Sequence, residues 1–141
     1  ALMALIASDR FSGGASLFGV TDPWRLCQQT HRFESGYLDW LLGHPADHDQ
    51  RWVRRTPCEQ ATSINAPVVF FQGGQDTVVV PEQTRSMVRA IEAAGGRAEL
   101  HWFELEGHGF RCPDNQVKVL NELHDFYQCH RRIPPMITAK S

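Results

Sequence analysis

Two hydrophobic patterns take turns along the second half of the chain. Pro67-Val68-Val69-Phe70-Phe71-Gln72 is a continuous apolar run, partly β-branched, of the kind that suits a strand buried on both faces of a parallel sheet. Gly73-Gly74-Gln75-Asp76 reads as the loop that ends it. Pro81-Glu82 then opens a helix with Met87, Val88 and Ile91 on one face, and Gly95-Gly96 closes it. Ala98 to Phe103 alternates like a strand and runs into the loop Glu106-Gly107-His108-Gly109-Phe110. Asp114 is expected to cap a last helix, in which Val117, Leu120, Leu123 and Tyr127 recur at spacings of three and four. The order strand, helix, strand, helix predicts a right-handed βαβ unit with a parallel pair.

The first half is less regular. Residues 1–8 are helical in character, Asp9 to Gly14 is a polar turn, and Ala15 to Val20 is a short strand candidate. Asp22 is placed to cap a helix that has Pro23 at its first position. From Trp24 to Arg55 the pattern is helical but divided at Gly36, Gly43 and Pro45, with a polar helix expected over Asp47 to Val53. The apolar start, Ala1 to Ala7, reads as the middle of a buried helix with no capping residue ahead of it, so the chain is expected to be a piece of a longer protein. Residues 1–130 are expected to form one partial domain. Residues 131–141, with adjacent prolines and no amphipathic period, are expected to be a disordered tail.

Composition narrows the classes. A length of 141 residues, 42% hydrophobic and 21% charged, fits one globular domain with a moderate core. A net charge of -2 offers no electrostatic case for nucleic acid or an anionic membrane surface. No apolar run approaches the roughly 18 residues a membrane-spanning helix needs. Neither nucleic acid nor membrane is therefore expected as a partner. Cys27, Cys58, Cys112 and Cys129 form no C-x-x-C pair and no dense disulfide spacing, and there is no N-x-[ST] acceptor. Reduced thiols and a cytoplasmic location are expected.

The candidate chemistry lies in the two loops. Loops leaving the C-terminal ends of parallel strands gather along one edge, where active sites form. Asp76 leaves one strand end and His108 the next. If the strands are neighbours, about 4.8 Å apart, the two side chains can meet. A carboxylate on one imidazole nitrogen leaves the other free to act as a base. Glycines 107 and 109 are expected to give the loop backbone angles that other residues resist. The alternative is a turn-forming aspartate and a solvated histidine. A nucleophile turn of the form G-x-S-x-G is absent. Ser12, Ser16, Ser35, Ser63 and Ser86 all lack its glycine frame between a strand and a helix. No metal is expected: His44, Asp47, His48 and Asp49 are disturbed by Pro45, and His101, Glu104 and His108 fail zinc spacing. No cofactor is expected. Glu106 could tune the loop or be solvated, and Arg111 could bind a carboxylate or face water.

Four stretches carry a resemblance: "GASLFGVTD", "HRFESGYLDWLLG", "APVVFFQGGQDTVVVPEQT" and "ELEGHGFRCPDN". In their order and spacing, residues 1 to about 130 resemble the C-terminal part of the catalytic domain of the prolyl oligopeptidase family of serine peptidases. The nearest members are the acylaminoacyl-peptidase and dipeptidyl-peptidase-like ones. The resemblance implies the C-terminal portion of an α/β-hydrolase fold, a parallel sheet with flanking helices, lacking its first strands and nucleophile elbow. It implies a Ser-Asp-His triad in which Asp76 and His108 are present and the serine lies upstream of Ala1. It places the oxyanion donors and a β-propeller upstream as well, so the isolated chain is expected to be inactive. Its substrates would be peptides or acyl-peptides. Phe18, Asp22, Trp24 and Tyr37 would supply a substrate side-chain pocket, against the simpler reading of ordinary packing. Two rivals remain: a carboxylesterase or lipase on the same fold, and a non-catalytic remnant that acts by binding or is inert. The free edge of a shortened sheet is expected to promote association.

Overall fold

A computed structural model describes residues 1–29, 35–44, 46 and 49–131. Its centre is a sheet of three parallel strands in the order β1-β2-β3, with β1 at Gly14–Leu17, β2 at Val68–Gly73 and β3 at Ala98–Phe103. Phe71 lies beside Leu17 on one side and His101 on the other. Helix α1 (Leu2–Ala7) precedes β1. Helices α2 (Pro23–Gln29), α3 (Ser35–Leu42) and α4 (Asp49–Arg54), then a 3₁₀ helix at Pro57–Ser63, lie between β1 and β2. Helix α5 (Pro81–Ala93) joins β2 to β3, and α6 (Pro113–His130) comes after β3.

The unbroken apolar run of β2 has a direct cause: helices cover both of its faces. Val68 and Phe70 pack with Leu2, Leu5, Met87 and Ile91 of α1 and α5. Val69 and Phe71 point the other way, against Phe103 and against Val119 and Phe126 of α6. All four β2 side chains are withdrawn from water. Each is worth about 1.5–3 kcal/mol relative to exposure, so β2 anchors the fold. A third cluster, Leu26, Leu38, Leu42 and Trp52 with Val79, holds α2–α4 against the loop after β2.

Some expectations are corrected. The first strand ends at Leu17 rather than Val20, because Phe18 takes a φ of 40° that no strand accommodates. Of the four residues expected to line α6, Leu123 packs against the core beside buried Val119 and Phe126, while Val117, Leu120 and Tyr127 are exposed. Its cap is Cys112 without a side-chain bond, not Asp114, which sits in the first turn. Gly36 lies within α3 instead of dividing it, and Gly43, at φ 81°, stands just past its C-terminal end. The polar helix begins at Asp49, and the 3₁₀ helix has no counterpart in the sequence pattern. Asp22 does cap α2, accepting the Arg25 amide at 2.9 Å. Gly95, at φ 80°, lies beyond the C-terminus of α5 as expected. Pro45, Asp47, His48 and residues 132–141 of the tail lie outside the described residues.

Candidate functional site

All three strands end at the same edge, and the loops that leave them converge there. The loop after β2 is built on close approach. A Cβ at Gly73 would fall 2.3 Å from the Glu106 carbonyl oxygen, and one at Gly74 would fall 2.7 Å from that of Glu104. Only glycine lets the loop after β3 lie this close. The Gly74 amide then donates to Phe103 at 2.8 Å and the Gln75 amide to Glu106 at 2.9 Å.

Those contacts bring Asp76 to His108. Asp76 is buried, and its Oδ2 lies 3.0 Å from His108 Nδ1. Its Oδ1 accepts the amides of Val78 and Val79, each at 2.9 Å. A carboxylate that is buried, yet holds two amides and an imidazole, has its charge compensated and its orientation set. Behind it, Gln72 Nε2 donates to Oδ2 at 3.3 Å, and Thr84 Oγ1 donates to Gln72 Oε1 at 2.7 Å. Gln72 and Thr84 went unread in the sequence. The available signal was a glutamine ending a run buried on both faces, where an amide must find partners.

His108 is 38% exposed on its side chain. Phe18 packs against its ring with centroids 4.8 Å apart, and Phe110 meets Phe18 edge-on at 5.5 Å. The left-handed backbone of Phe18 is strained for a non-glycine residue, and such strain clusters at functional sites. With Nδ1 occupied by Asp76, Nε2 makes no hydrogen bond among the described residues. Of the two flanking glycines, only Gly109 (φ 102°) needs the left-handed region, so the expectation for Gly107 is corrected.

Glu106 is buried rather than solvated. It accepts the backbone amides of Arg111 (2.8 Å) and Cys112 (3.0 Å) and the Asn115 side chain (2.7 Å). The Asn115 bond, then the Arg111 amide, hold its carboxyl below the ordinary carboxylate range. Glu106 thus caps α6 from outside the helix and ties the His108 loop to it. The Arg111 side chain is exposed.

The structure divides the four pocket candidates. Phe18 and Tyr37 line a cavity of about 850 Å³ together with His108, Leu38, Val79 and Arg55. Asp22 and Trp24 line a separate cavity of about 660 Å³ with Asp39 and Trp52. Asp22 is also engaged as the α2 cap. No serine with a described side chain bonds to His108. Ser16 is buried within β1, Ser63 is exposed, and Ser86 donates to Glu82. Ser12 lines a further cavity with Leu5, Asn65 and Arg97, and the side chain of Ser35 lies outside the described residues. Burial, with Asp39 adding for Cys27 and Asp22 and Glu59 for Cys58, pushes both thiols up and keeps them protonated.

Three parallel strands with flanking helices match the α/β-hydrolase fold of solved structures, of which this chain forms a part. Residues 1–132 match the prolyl oligopeptidase family, and the chain belongs to it. The solved structure of a Mycobacterium tuberculosis puromycin-hydrolyzing peptidase superposes with a TM-score of 0.85 at 32% identity, covering 95% of this chain and 20% of that one. Dipeptidyl aminopeptidase BIII of Pseudoxanthomonas mexicana is 27% identical over 128 residues, 86% of this chain and 18% of the relative. A carboxymethylenebutenolidase of Pseudomonas putida is 28% identical over 75 residues, 53% of this chain and 29% of the relative. The chain thus spans about a fifth of the length of the peptidases it matches.

Proposed function

We propose that this chain is the acid-and-base portion of a serine-type peptidase, in which His108 is the general base and Asp76 its orienting carboxylate. The observation that carries the reading is the 3.0 Å contact between Asp76 Oδ2 and His108 Nδ1, made at the strand edge beside a largely apolar cavity. Nε2 would take the proton of a serine hydroxyl as it attacks the scissile carbonyl, then pass it to the leaving amine. Asp76 holds the tautomer and offsets the charge of the imidazolium. The serine and the oxyanion donors would come from residues outside this chain. The 141-residue chain by itself is therefore expected to be inactive.

The bonds cleaved would be peptide or aminoacyl amides, in keeping with the relatives named for such substrates. The cavity lined by Phe18, Tyr37, Leu38 and Val79 suits an apolar side chain next to the scissile bond. Asp22 and Trp24 would then contribute to a second cavity rather than to this one. The free edge of β1 is where further strands of a longer protein would pair, and in the isolated chain it would promote association. Four unpaired cysteines support a cytoplasmic setting. No described helix is long and apolar enough to cross a membrane. A second reading, ester or lactone hydrolysis, is favoured by the match to carboxymethylenebutenolidase.

The test uses the longest natural protein that contains these residues. Wild type and His108→Ala are assayed with an aminoacyl anilide, a dipeptidyl anilide and a phenyl ester, and labelled with a fluorophosphonate. Amide turnover and labelling that both collapse in His108→Ala support the peptidase. Ester turnover without amide turnover would support the second reading. Undiminished turnover in the variant would refute both.

A further inference from the structure

The geometry points to a divalent transition-metal site on the α6 side of the sheet, made by Glu99, His101 and Glu122, which would take Zn²⁺ or a similar first-row ion. Glu99 and His101 are two residues apart on β3 and so project from the same face. Glu122 comes to them from α6. His101 Nε2 lies 2.9 Å from Glu99 Oε1 and 3.9 Å from Glu122 Oε2. One ligand atom from each of the three lies within 4.8 Å of the others. Three points that close share a centre no farther than about 2.8 Å from each, so closing by well under an ångström reaches zinc-ligand distances of about 2.0–2.2 Å. The two glutamates can supply that movement, being 59% and 35% exposed on their side chains.

The histidine is the fixed member. Its side chain is only 15% exposed, and its ring stacks on Phe71 at 5.0 Å with planes 12° apart. Phe71 is fully buried, so the imidazole is held in place before any ion arrives. Without an ion, the proton on His101 Nε2 bridges to Glu99 Oε1 while the two carboxylates repel each other; an arriving ion takes the place of that proton, which goes to solvent. A divalent ion converts that repulsion into attraction, and neutral imidazole with two carboxylates leaves a position for water. Imidazole in the set favours zinc over calcium or magnesium, which prefer oxygen ligands alone. The sequence pattern hid this grouping. It suggested testing His101 against Glu104 and His108, whereas Glu122 reaches it only through the packing of α6. Ligands from β3 and α6 make the ion a clamp between strand and helix, separate from the proposed catalytic pair.

Titration of the purified, metal-free protein with Zn²⁺ by calorimetry, and with Co²⁺ by visible absorption, tests the site. Circular dichroism establishes that each sample is folded. One ion per chain is expected, with a rise in melting temperature that Ca²⁺ does not reproduce. Loss of an outer-shell partner alone costs 10–100-fold in affinity, so Glu122→Gln and Glu99→Gln, which remove direct ligands, should each weaken binding on the order of 100-fold. These two variants keep the His101 stacking intact, so a fold defect would not mimic the result. Folded wild type that binds no ion at 100-micromolar Zn²⁺, on the order of the weakest affinity of interest, would overturn the proposal. So would binding that is unchanged in both variants, since the ion would then sit on other groups.

Discussion

The loops leaving β2 and β3 are held by buried carboxylates that gather several directional bonds each, whereas helices α2 to α4 facing them close around one apolar cluster, with side-chain bonds to the α3 end from Trp52 and Arg51. Asp76 accepts from Val78, Val79 and Gln72 and meets His108, and Glu106 accepts from three donors at the start of α6. On the other side, Leu26, Leu38, Leu42 and Trp52 pack with Val79. Hydrogen bonds weaken steeply with distance and angle, so they locate atoms. Apolar burial is non-directional and mostly fixes volume. Under the proposed function, the directional bonds would fix the geometry of proton transfer and the apolar wall would select a side chain.

The largest effect is expected at His108. If His108 has the proposed role, His108→Ala in the longest natural protein containing these residues should lower kcat on the order of 10⁴-fold with little change in melting temperature. A variant that keeps its turnover would end the assignment of the edge loops to chemistry. Gly73→Ala comes next, because its methyl would strike the Glu106 carbonyl at 2.3 Å and the Gly107 carbonyl at 2.5 Å. A loss of about 2–4 kcal/mol in urea unfolding is expected, as for overpacking against backbone that cannot yield. An unaffected midpoint would mean the two loops are less tightly joined than their bonds indicate.

Glu106→Gln sharpens the picture through pH. The carboxyl of Glu106 titrates below its ordinary range in the folded protein, so it stabilises fully above the unfolded value of about 4.3 and loses that contribution as pH falls through the lower folded value. The melting-temperature gap between wild type and Glu106→Gln should be widest near neutral pH and should close below about pH 4. A gap independent of pH would place the effect in shape rather than charge. The smallest effect is expected at Tyr37, an exposed residue on the cavity wall. Tyr37→Ala should change stability by less than about 0.5 kcal/mol, while shifting KM among substrates that differ beside the scissile bond. Equal KM shifts for all substrates would argue against a selective wall.

Much of this was legible in the chain. Val68 to Phe71 declared a strand covered on both sides, because no alternation survives when both faces are buried. Met87, Val88 and Ile91 declared the inner face of α5, and all three are buried there. The loop positions of Asp76 and His108 could be read from the two strand ends. Two apolar stripes compete on α6 and share Leu123, and only contact with Val69, Phe71 and Phe103 selects Val119 and Phe126 over Val117 and Leu120.

Local sequence therefore determined the order β2, α5, β3 and α6, the glycine turns and the residue types at the strand ends, since period and backbone restriction are short-range effects. Tertiary structure alone decided which groups meet. Gln72 and Thr84 stand behind Asp76, Glu106 caps a helix that begins seven residues later, and Glu122 reaches His101 from another element. The Thr84 and Glu122 pairings join groups whose separation in space depends on how α5 and α6 pack over the sheet. Hydrogen bonds and ion pairs act over a few ångströms, and no periodicity along a chain encodes a distance between two of its elements.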